Sequence, residues 1–297
     1  MMSITSRVKR APSREAVRSP AAGQPAAGDA GTLLRTWRGR RRLSQMELAG
    51  AAEISTRHLS FIETGRAQPS RRVVLRLAEE LTIPLRGRNA LLLAAGFAPA
   101  YPETPLADPL MRPVRAALDR IVSLHDPYPA LVVDRQWNIV TANASAVALL
   151  EGVAPDLLQP PVNVMRLSLH PRGLAPRTRN FAAWAGHLIG QLHQQVESSG
   201  DSDLQSLLEE VSHYPGIMTQ PAAPGPADRV VTAVRYATPD GDLALFTTIA
   251  TLGAPTDVTA AELAIETFYP ADEQTEILLQ QRARARSAPR SGTLVLQ

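Results

Sequence analysis

Apolar residues between positions 31 and 98 recur every three or four residues, in short and closely spaced runs. Such spacing places the apolar side chains on one face of an α-helix. Ser44, Ser55 and Ser70 each stand just before one of these runs, where a serine can accept a hydrogen bond from a backbone N–H of the first turn. Glu47, three residues after Ser44, can complete a capping box. The pattern predicts an all-α domain of five helices over residues 31–98.

Only residues 52–54 separate the second of these helices from the third. Two short helices joined by a tight turn and followed by further helices are typical of a helix-turn-helix domain. At about 100° per residue, Leu59 and Ile62 point to the same side of the third helix. The opposite side carries small hydroxyls, a guanidinium and a phenyl ring, on Arg57, Ser60, Phe61 and Thr64. A solvated surface would favour Glu and Lys, whereas this set suits the major groove of DNA.

The chemistry of these side chains explains why they favour DNA. Arg57 can bond guanine through two parallel hydrogen bonds, hydroxyls can bond most base edges, and a phenyl ring can touch a thymine methyl group. Gln45, at the start of the preceding helix, is placed to meet a phosphate, helped by free backbone N–H groups and the helix dipole. Phe61 could instead fold back onto its own domain, and the arginines within residues 35–42 could be a solvated run.

The second half of the chain contains strand patterns. Residues 128–150 predict two strands around a polar turn, followed by a helix from about Asn143. Residues 229–253 form the clearest hairpin, with β-branched runs around a Pro-Asp-Gly-Asp turn. Residues 262–272 predict one more strand, which ends at Pro270.

These strands bracket a helical region and define the remaining boundaries. Residues 160–212 look helical, so an α+β domain with a mainly antiparallel sheet is predicted over residues 114–280. Residues 1–30 hold almost no large apolar side chains, which predicts a disordered basic tail. Prolines interrupt residues 99–113, which indicates a Pro-rich linker. Residues 281–297 are rich in Arg and Ser and predict a flexible tail.

Composition narrows the class of protein. The chain has no cysteine, which removes disulfides, thiolate metal sites and cysteine catalysis. No apolar run approaches the roughly 20 residues of a membrane span, and the first residues lack the apolar core of a secretory signal. We therefore expect a soluble, cytoplasmic protein that does not enter a membrane.

Charge is distributed unevenly along the chain. Residues 1–100 carry 17 Lys and Arg against 7 Asp and Glu, whereas residues 101–297 carry 14 against 21. The net charge of +3 therefore conceals a basic half of about +10 and an acidic half of about −7. A basic half suits a polyanion such as DNA, and some of its arginines are expected to meet phosphates.

Residues 43–70, LSQMELAGAAEISTRHLSFIETGRAQPS, carry a family resemblance. They resemble the Xre or phage-repressor class of helix-turn-helix proteins. The resemblance implies a transcriptional regulator that binds double-stranded operator DNA as a homodimer. The DNA-contacting residues implied or expected from their position are Arg41, Ser44, Gln45, Ser55, Thr56, Arg57, Ser60, Phe61 and Arg66.

Two further positions follow from the same resemblance. The family pairs an arginine of the first helix with the glutamate before the glycine, and here these residues are Arg38 and Glu63. The resemblance therefore implies a structural salt bridge between them. Glu53 departs from the family, which has glycine at this position of the turn. If the backbone is left-handed there, a residue other than glycine costs roughly 1 kcal/mol or more.

Three stretches of the second half, YPALVVDRQWNIVTANASAVALL, VNVMRLSLHPRGL and TTIATLGAPTDVTAAELAIETFYPADEQT, carry a second resemblance. They resemble the MmyB-like ligand-binding domain, a PAS-like domain that follows Xre-type domains in bacterial regulators. The resemblance spans most of residues 105–280 and implies a sensor for a small, mostly apolar ligand, with fatty acids as the expected class.

Several residues could serve such a ligand. Arg166, His170 and Arg172 are the best-placed cluster for a carboxylate, and Trp184, Leu188 and Phe246 could line an apolar tunnel. Taken singly, residues such as the last three are more often ordinary core, and His170 and Arg172 could simply solvate a loop.

The sequence lacks the motifs that several common enzyme classes need. The sequence has no Gly-rich phosphate loop, no GxSxG and no HExxH, and His187 and His193 are six residues apart, not the four of stacked zinc ligands. We therefore expect no catalytic residues, no metal site and no cofactor beyond a bound apolar ligand. One alternative stays open: a helix-turn-helix protein-interaction adaptor of antitoxin type, whose C-terminal domain only dimerises.

Overall fold

The computed structural model describes residues 30–217 and 232–287 of the chain. The first part of this region is all-α. Its five helices are α1 Ala30–Arg40, α2 Gln45–Ala51, α3 Thr56–Glu63, α4 Arg71–Glu80 and α5 Leu85–Ala94. The side chains of Ser44, Ser55 and Ser70 accept backbone N–H groups in the first turns of α2, α3 and α4, so the predicted N-caps are present.

A single apolar core holds these helices together. Leu34 of α1, Leu48 of α2 and both Leu59 and Ile62 of α3 are buried in it, together with leucines of α4 and α5. At about 25 cal/mol per Å² of apolar surface, each fully buried leucine or isoleucine contributes roughly 2 kcal/mol before entropy is counted. Leu59 and Ile62 therefore anchor one side of α3, and its opposite side is left at the surface.

The turn between α2 and α3 answers the question posed by Glu53. Its backbone is left-handed, with φ of 49°. The N–H of Ile54 donates to the carbonyl of Ala49, and the N–H of Glu53 donates to that of Gly50, which together form a Schellman motif. The strain is thus present and tolerated. The Glu53 carboxylate also pairs with Arg76 of α4.

The segment predicted as a linker is attached to the folded domains. The Asn89 carboxamide accepts the backbone N–H groups of Ala100 and Tyr101 and donates to the Tyr101 carbonyl. A short 3₁₀ helix, Pro109–Met111, leads directly into the next helix at Arg112. The last two residues of the predicted linker therefore belong to a helix, because proline is well accommodated in a first helical turn.

The second part of the chain is an α+β domain. Its longer elements, in chain order, are α6 Arg112–Leu124, β1 Ala130–Val133, β2 Ile139–Ala142, α7 Ala144–Ala148, α8 Val164–Leu169, α9 Phe181–Ser199, α10 Ser202–Ser212, β3 Val234–Thr238, β4 Gly241–Thr251, α11 Val258–Ala261, β5 Ala264–Pro270 and α12 Glu273–Ser287. The five strands form one antiparallel sheet in the order β2-β1-β5-β4-β3. The architecture confirms the predicted fold class, an all-α five-helix helix-turn-helix domain followed by an α+β PAS-like domain.

The two faces of the sheet pack against different helices. Alternate residues of a strand point to opposite faces. Leu131 and Val133 of β1, with Leu243 and Leu245 of β4, pack with residues of α8, α9 and α10 in what we term the main core. The other face, with Val132 and Ile265, packs against α6 in a smaller core. Side chains of the main core are therefore enclosed between the sheet and three helices.

Most predicted elements of this domain are present, with adjusted ends. The hairpin consists of β3 and β4, while residues 229–231 lie outside the described residues. The helix α12 extends to Ser287, so residues 281–287 of the predicted tail are helical. Arg282 of α12 pairs with Asp240 at 2.8 Å, which gives these extra turns a tertiary partner. Residues 1–29 and 288–297 lie outside the described residues. Nowhere in the described chain is there a helix long and apolar enough to span a bilayer.

Candidate functional site

The outward side of α3 is the first candidate surface. Thr56 and Arg57 are exposed, and Ser60 and Phe61 are half-buried. The Arg57 guanidinium lies 5.3 Å from the centroid of the Phe61 ring, so the ring is held at the surface by a cation–π contact. The Thr64 hydroxyl donates back to the Ser60 carbonyl at 2.8 Å. The four side chains predicted to face bases thus share one accessible helix face.

The positive charge of Arg57 is also not neutralised by any carboxylate in the described residues. Among residues 30–217 and 232–287, no carboxylate pairs with its guanidinium. A guanidinium without a carboxylate partner can form two parallel hydrogen bonds to a guanine edge or to a phosphate. Arg66, just beyond α3, is likewise exposed and without an ion-pair partner in the same ranges. Both residues stay predicted DNA contacts.

A polar cluster beneath this surface fixes α3 to α1 and α2. Arg38 donates from Nε and Nη2 to the two carboxylate oxygens of Glu63, at 2.7 and 2.9 Å, so the predicted salt bridge is present. The Gln45 side-chain amide donates to Glu63 Oε2 at 2.8 Å. Burial alone would raise the pKa of the Glu63 carboxyl, but the hydrogen bonds from Arg38 and Gln45 hold it below its ordinary value. The carboxylate therefore stays ionised and cross-links three helices.

The Gln45 side-chain amide, predicted from its position to contact a phosphate, is partly occupied by its bond to Glu63. One N–H of its amide is committed to Glu63, whereas a primary amide has a second N–H and a carbonyl oxygen. Its role as a backbone contact stays a prediction, now with a fixed orientation of the amide. Ser44 and Ser55 use their hydroxyl oxygens as N-caps, accepting from the backbone of Glu47 and His58, and each keeps a hydroxyl hydrogen that can donate to a phosphate.

The Arg41 side chain, predicted to contact DNA, forms hydrogen bonds within the helix-turn-helix domain. Its Nε donates to the Leu81 carbonyl at 2.9 Å and its Nη2 to the Thr82 carbonyl at 3.3 Å. These carbonyls lie at the C-terminal end of α4, where a helix has unpaired acceptors and a partial negative charge. Arg41 therefore caps α4, and its contact with DNA stays a prediction.

The predicted carboxylate-binding residues Arg166 and His170 already have partners within the C-terminal domain. Arg166 forms a bidentate ion pair with Glu210, at 2.8 and 2.6 Å, and the Tyr214 hydroxyl donates to the same carboxylate at 2.6 Å. His170 packs edge-on against Tyr214, with ring centroids 4.9 Å apart. The charge of Arg166 is thus already balanced at the surface. Arg166 and His170 form a surface network between α8 and α10, not an unpaired cationic end group.

The three predicted tunnel residues are divided between the two faces of the sheet. Trp184 and Leu188 of α9 are buried in the main core. Phe246 alternates with the main-core residue Leu245 on β4 and therefore points to the other face, where its ring stacks on Tyr269 at 5.3 Å. Phe246 is consequently separated from the other two. The Trp184 ring stacks on His187, with centroids 5.3 Å apart, and burial lowers the pKa of His187.

Comparison with protein families decides the class of protein. A helix-turn-helix domain family matches residues 29–91. The MmyB-like transcription regulator ligand binding domain matches residues 114–281, which is more than half of the chain. The chain belongs to the MmyB-like transcription regulators. It is therefore a DNA-binding transcription regulator with a C-terminal ligand-binding domain, and both family resemblances are confirmed.

Other comparisons add little to this assignment. No curated protein matches the chain. A solved structure of an RNA-binding light-oxygen-voltage receptor is similar at 15% identity, with a TM-score of 0.23. The match covers 86% of this chain and 62% of that one. A similarity at this level carries no argument about function.

In this MmyB-like regulator, direct contacts join the two domains. Arg86 of α5 donates to both carboxylate oxygens of Glu262, at 2.7 and 2.9 Å, and pairs with Glu103 at 2.6 Å. The backbone N–H of Val258 in α11 donates to the Pro102 carbonyl at 2.8 Å. The last helix of the DNA-binding domain is thereby connected to the segment that leads into β5. In the described part of this regulator, no group of three or more His, Asp or Glu residues could hold a metal ion.

One residue of the regulator's main core is absent from the predicted sites. Glu266 of β5 is only 5% exposed, and its side chain points to the main core between Ala264 and Phe268. Burial raises the pKa of its carboxyl to about 7. Strict alternation along the predicted strand could have found it, because a glutamate at an inward position of a half-buried strand breaks the apolar pattern.

Proposed function

We propose that this regulator binds a specific operator sequence as a homodimer and that a small apolar ligand controls this binding. Sequence recognition is supported by the accessible face of α3, which presents a guanidinium without an ion-pair partner, an aromatic ring and hydroxyls. The buried side of the same helix is fixed to the domain by Leu59, Ile62 and the Glu63–Arg38 ion pair. Arg57, Ser60 and Phe61 would contact bases, and Thr56 would lie at the start of the same surface.

A dimer would place two such helices in successive major grooves, about 34 Å apart. The surrounding arginines would neutralise phosphates, which makes affinity fall steeply with salt, by about tenfold or more between 50 and 200 mM for several contacts. DNA as a partner also implies that the protein acts in the cytoplasm.

The ligand is proposed to enter the main core of the C-terminal domain. This core is lined mainly by Leu, Val and aromatic side chains between the sheet and three helices, which suits an apolar molecule of the fatty-acid type. A ligand there would contact β5, and β5 begins next to the Glu262–Arg86 ion pair. Ligand binding would therefore shift the population of dimers competent for DNA through α5.

DNA binding is tested by mobility shift of the full-length protein with the DNA upstream of its own gene and with a shuffled duplex of equal length, at 50 and 200 mM salt. Retardation of the upstream DNA alone, weakened at high salt, is expected. Absence of any salt-sensitive retardation would contradict the proposal and favour the protein-interaction adaptor.

Ligand sensing is tested by mass spectrometry of small molecules extracted from the purified protein. An apolar molecule in stoichiometric amount is expected, and its removal should change the affinity for operator DNA. A protein that carries and binds no such molecule would contradict this half of the proposal while leaving DNA binding intact.

A further inference from the structure

An apolar stripe runs along the outward side of α6. Its members are Leu110 in the 3₁₀ turn before the helix, followed by Pro113, Ala117, Ile121 and Leu124. They recur at intervals of three and four residues, which keeps them within about 80° of one another around the helix axis. All five are exposed, and the two leucines at the ends are 80% and 72% exposed.

The stripe is separate from the side by which α6 holds the sheet. Leu118 and Val122 are buried in the smaller core, against the outer face of the sheet. The charged residues Arg112, Asp119 and Arg120 lie outside the stripe, so its centre carries no charge. A helix on the surface of a monomer typically keeps one apolar side, whereas α6 has two. A second, exposed apolar side marks an interaction surface.

The spacing of the stripe is symmetric about Ala117. Leu110 precedes this alanine by seven residues and Leu124 follows it by seven. If two α6 helices pack antiparallel about a two-fold axis at Ala117, Leu110 therefore faces Leu124 of the second copy. The small alanine lets the helices approach closely where they cross, and the leucines fill the space where they diverge. The stripe is thus complementary to itself, which a two-fold contact requires.

The uncovered part of the sheet extends this surface. A stable dimer buries about 800 Å² on each partner, more than one face of a helix about 20 Å long supplies. Thr248 and Ala250 are exposed on the outer face of β4, next to the half-buried rings of Phe246 and Tyr269. His125, at the end of α6, packs edge-on against Tyr269 with ring centroids 4.9 Å apart. The stripe and the open part of the sheet therefore adjoin.

The position of α6 connects this surface to DNA binding. The segment that leads into α6 is held to α5 by the hydrogen bonds of Asn89 with Ala100 and Tyr101. The Arg86–Glu262 ion pair ties α5 to the C-terminal domain as well. Pairing of two α6 helices would therefore restrict how the two helix-turn-helix domains lie relative to each other, as recognition of two successive major grooves requires.

We propose that the outward side of α6 is the surface on which a second copy of this chain docks, with the two α6 helices antiparallel and crossing at Ala117. The adjoining outer face of β4 completes the contact. This inference rests on the proposed homodimer and names its interface.

Disulfide cross-linking tests the geometry of the pair. The chain has no cysteine, so an introduced cysteine is its only thiol. Two full-length variants, Ala117→Cys and Ala116→Cys, are oxidised with glutathione disulfide and followed on non-reducing gels. Both positions are exposed, but Ala116 lies about 100° around the helix from Ala117. Ala117→Cys should form linked dimers at least tenfold faster, because a disulfide needs Cα atoms within about 7 Å. Equal rates would overturn the proposed crossing.

Sedimentation equilibrium of the full-length protein tests the surface itself. Ile121→Glu should raise the dissociation constant of the dimer at least tenfold, because it places a charge in the apolar contact. The matched control is Ile277→Glu on α12, since Ile121 and Ile277 are 42% and 47% exposed. This control should leave the dissociation constant unchanged. Circular dichroism checks that each variant folds, and if Ile121→Glu does not, Leu124→Glu must show the same weakening.

Two outcomes separate this inference from the proposed function. A wild-type dimer that Ile121→Glu and Leu124→Glu both leave intact would overturn the inference alone; the stripe would then be covered in another way, for example by residues 288–297 of the same chain. A wild type that stays monomeric at every concentration, with and without operator DNA, would overturn both the inference and the proposed homodimer.

Discussion

Substitution of Glu266 by Gln should change the pH dependence of stability in a way that no surface substitution can reproduce. Burial raises the pKa of this carboxyl from its ordinary value near 4.5 to about 7 in the folded chain. The folded state therefore holds a proton that the unfolded state releases between these two values. Stability that is fully present below pH 4.5 is lost as pH rises towards 7.

The size of this change in stability follows from the shift in the pKa of Glu266. One pKa unit corresponds to 1.36 kcal/mol, so wild-type stability should fall by roughly 3 kcal/mol over this window because of Glu266 alone. Gln has nearly the same shape and cannot ionise. The Glu266→Gln variant should therefore gain about 3 kcal/mol on the wild type between pH 4.5 and pH 8.

Denaturant unfolding of ligand-free protein at pH 4.5, 6 and 8, followed by circular dichroism, measures this difference. All other carboxylates titrate alike in both proteins, so subtraction isolates Glu266. Glu151→Gln, at an exposed position, serves as the matched control and should show no pH-dependent difference. A constant difference between Glu266→Gln and wild type across the three pH values would refute the reasoning.

Three further substitutions test the scaffold. Arg38→Met leaves the Glu63 carboxylate, whose side chain is 2% exposed, without its charge partner, so the free energy of unfolding should fall by about 3–5 kcal/mol. In denaturant titrations, the double variant with Arg38→Met and Glu63→Gln should recover most of this loss, and no recovery would contradict the ion-pair explanation. Glu53→Gly relieves a left-handed backbone and should stabilise by up to about 1 kcal/mol, whereas Glu53→Ala should not; equal melting temperatures for the two would count against strain at this turn. Arg86→Ala removes the ion pair with Glu262, which contributes up to about 1 kcal/mol at this exposure. The rate of proteolytic cleavage between residues 99 and 111 should therefore rise by up to about fivefold. An unchanged cleavage rate would show that the contact does not hold the domains together.

The helix-turn-helix domain could be predicted because its signals are local. Ser44 and Ser55 lie within three residues of the N–H groups that they cap, and Leu59 and Ile62 define the buried side of α3 from spacing alone. The left-handed conformation of Glu53 could only be posed as a question, since it depends on how α2 ends.

The ligand-binding site depends on contacts between distant residues, which the sequence does not show. Arg166 looks like a free cation until α10 brings Glu210 beside it, 44 positions further along the chain. Phe246 looks like a tunnel residue until the register of β4 turns it to the other face of the sheet. Alternation along β5 marks Glu266 as an inward glutamate, but only the packing shows that its Oε2 atom has no hydrogen-bond partner among the described residues.

Arg57 provides the most direct test of the central claim, that the outward face of α3 reads DNA sequence. Operator sequences selected from random duplexes by the wild type would be measured with Arg57→Ala and with the control Arg112→Ala, against duplexes changed at each base pair in turn. Arg57→Ala should cost about 1–3 kcal/mol on the best sequence and lose discrimination at one base position, while Arg112→Ala, exposed in the C-terminal domain, should bind like the wild type. If Arg57→Ala weakened binding equally on every duplex, Arg57 would contact a phosphate, and base recognition by this residue would be contradicted.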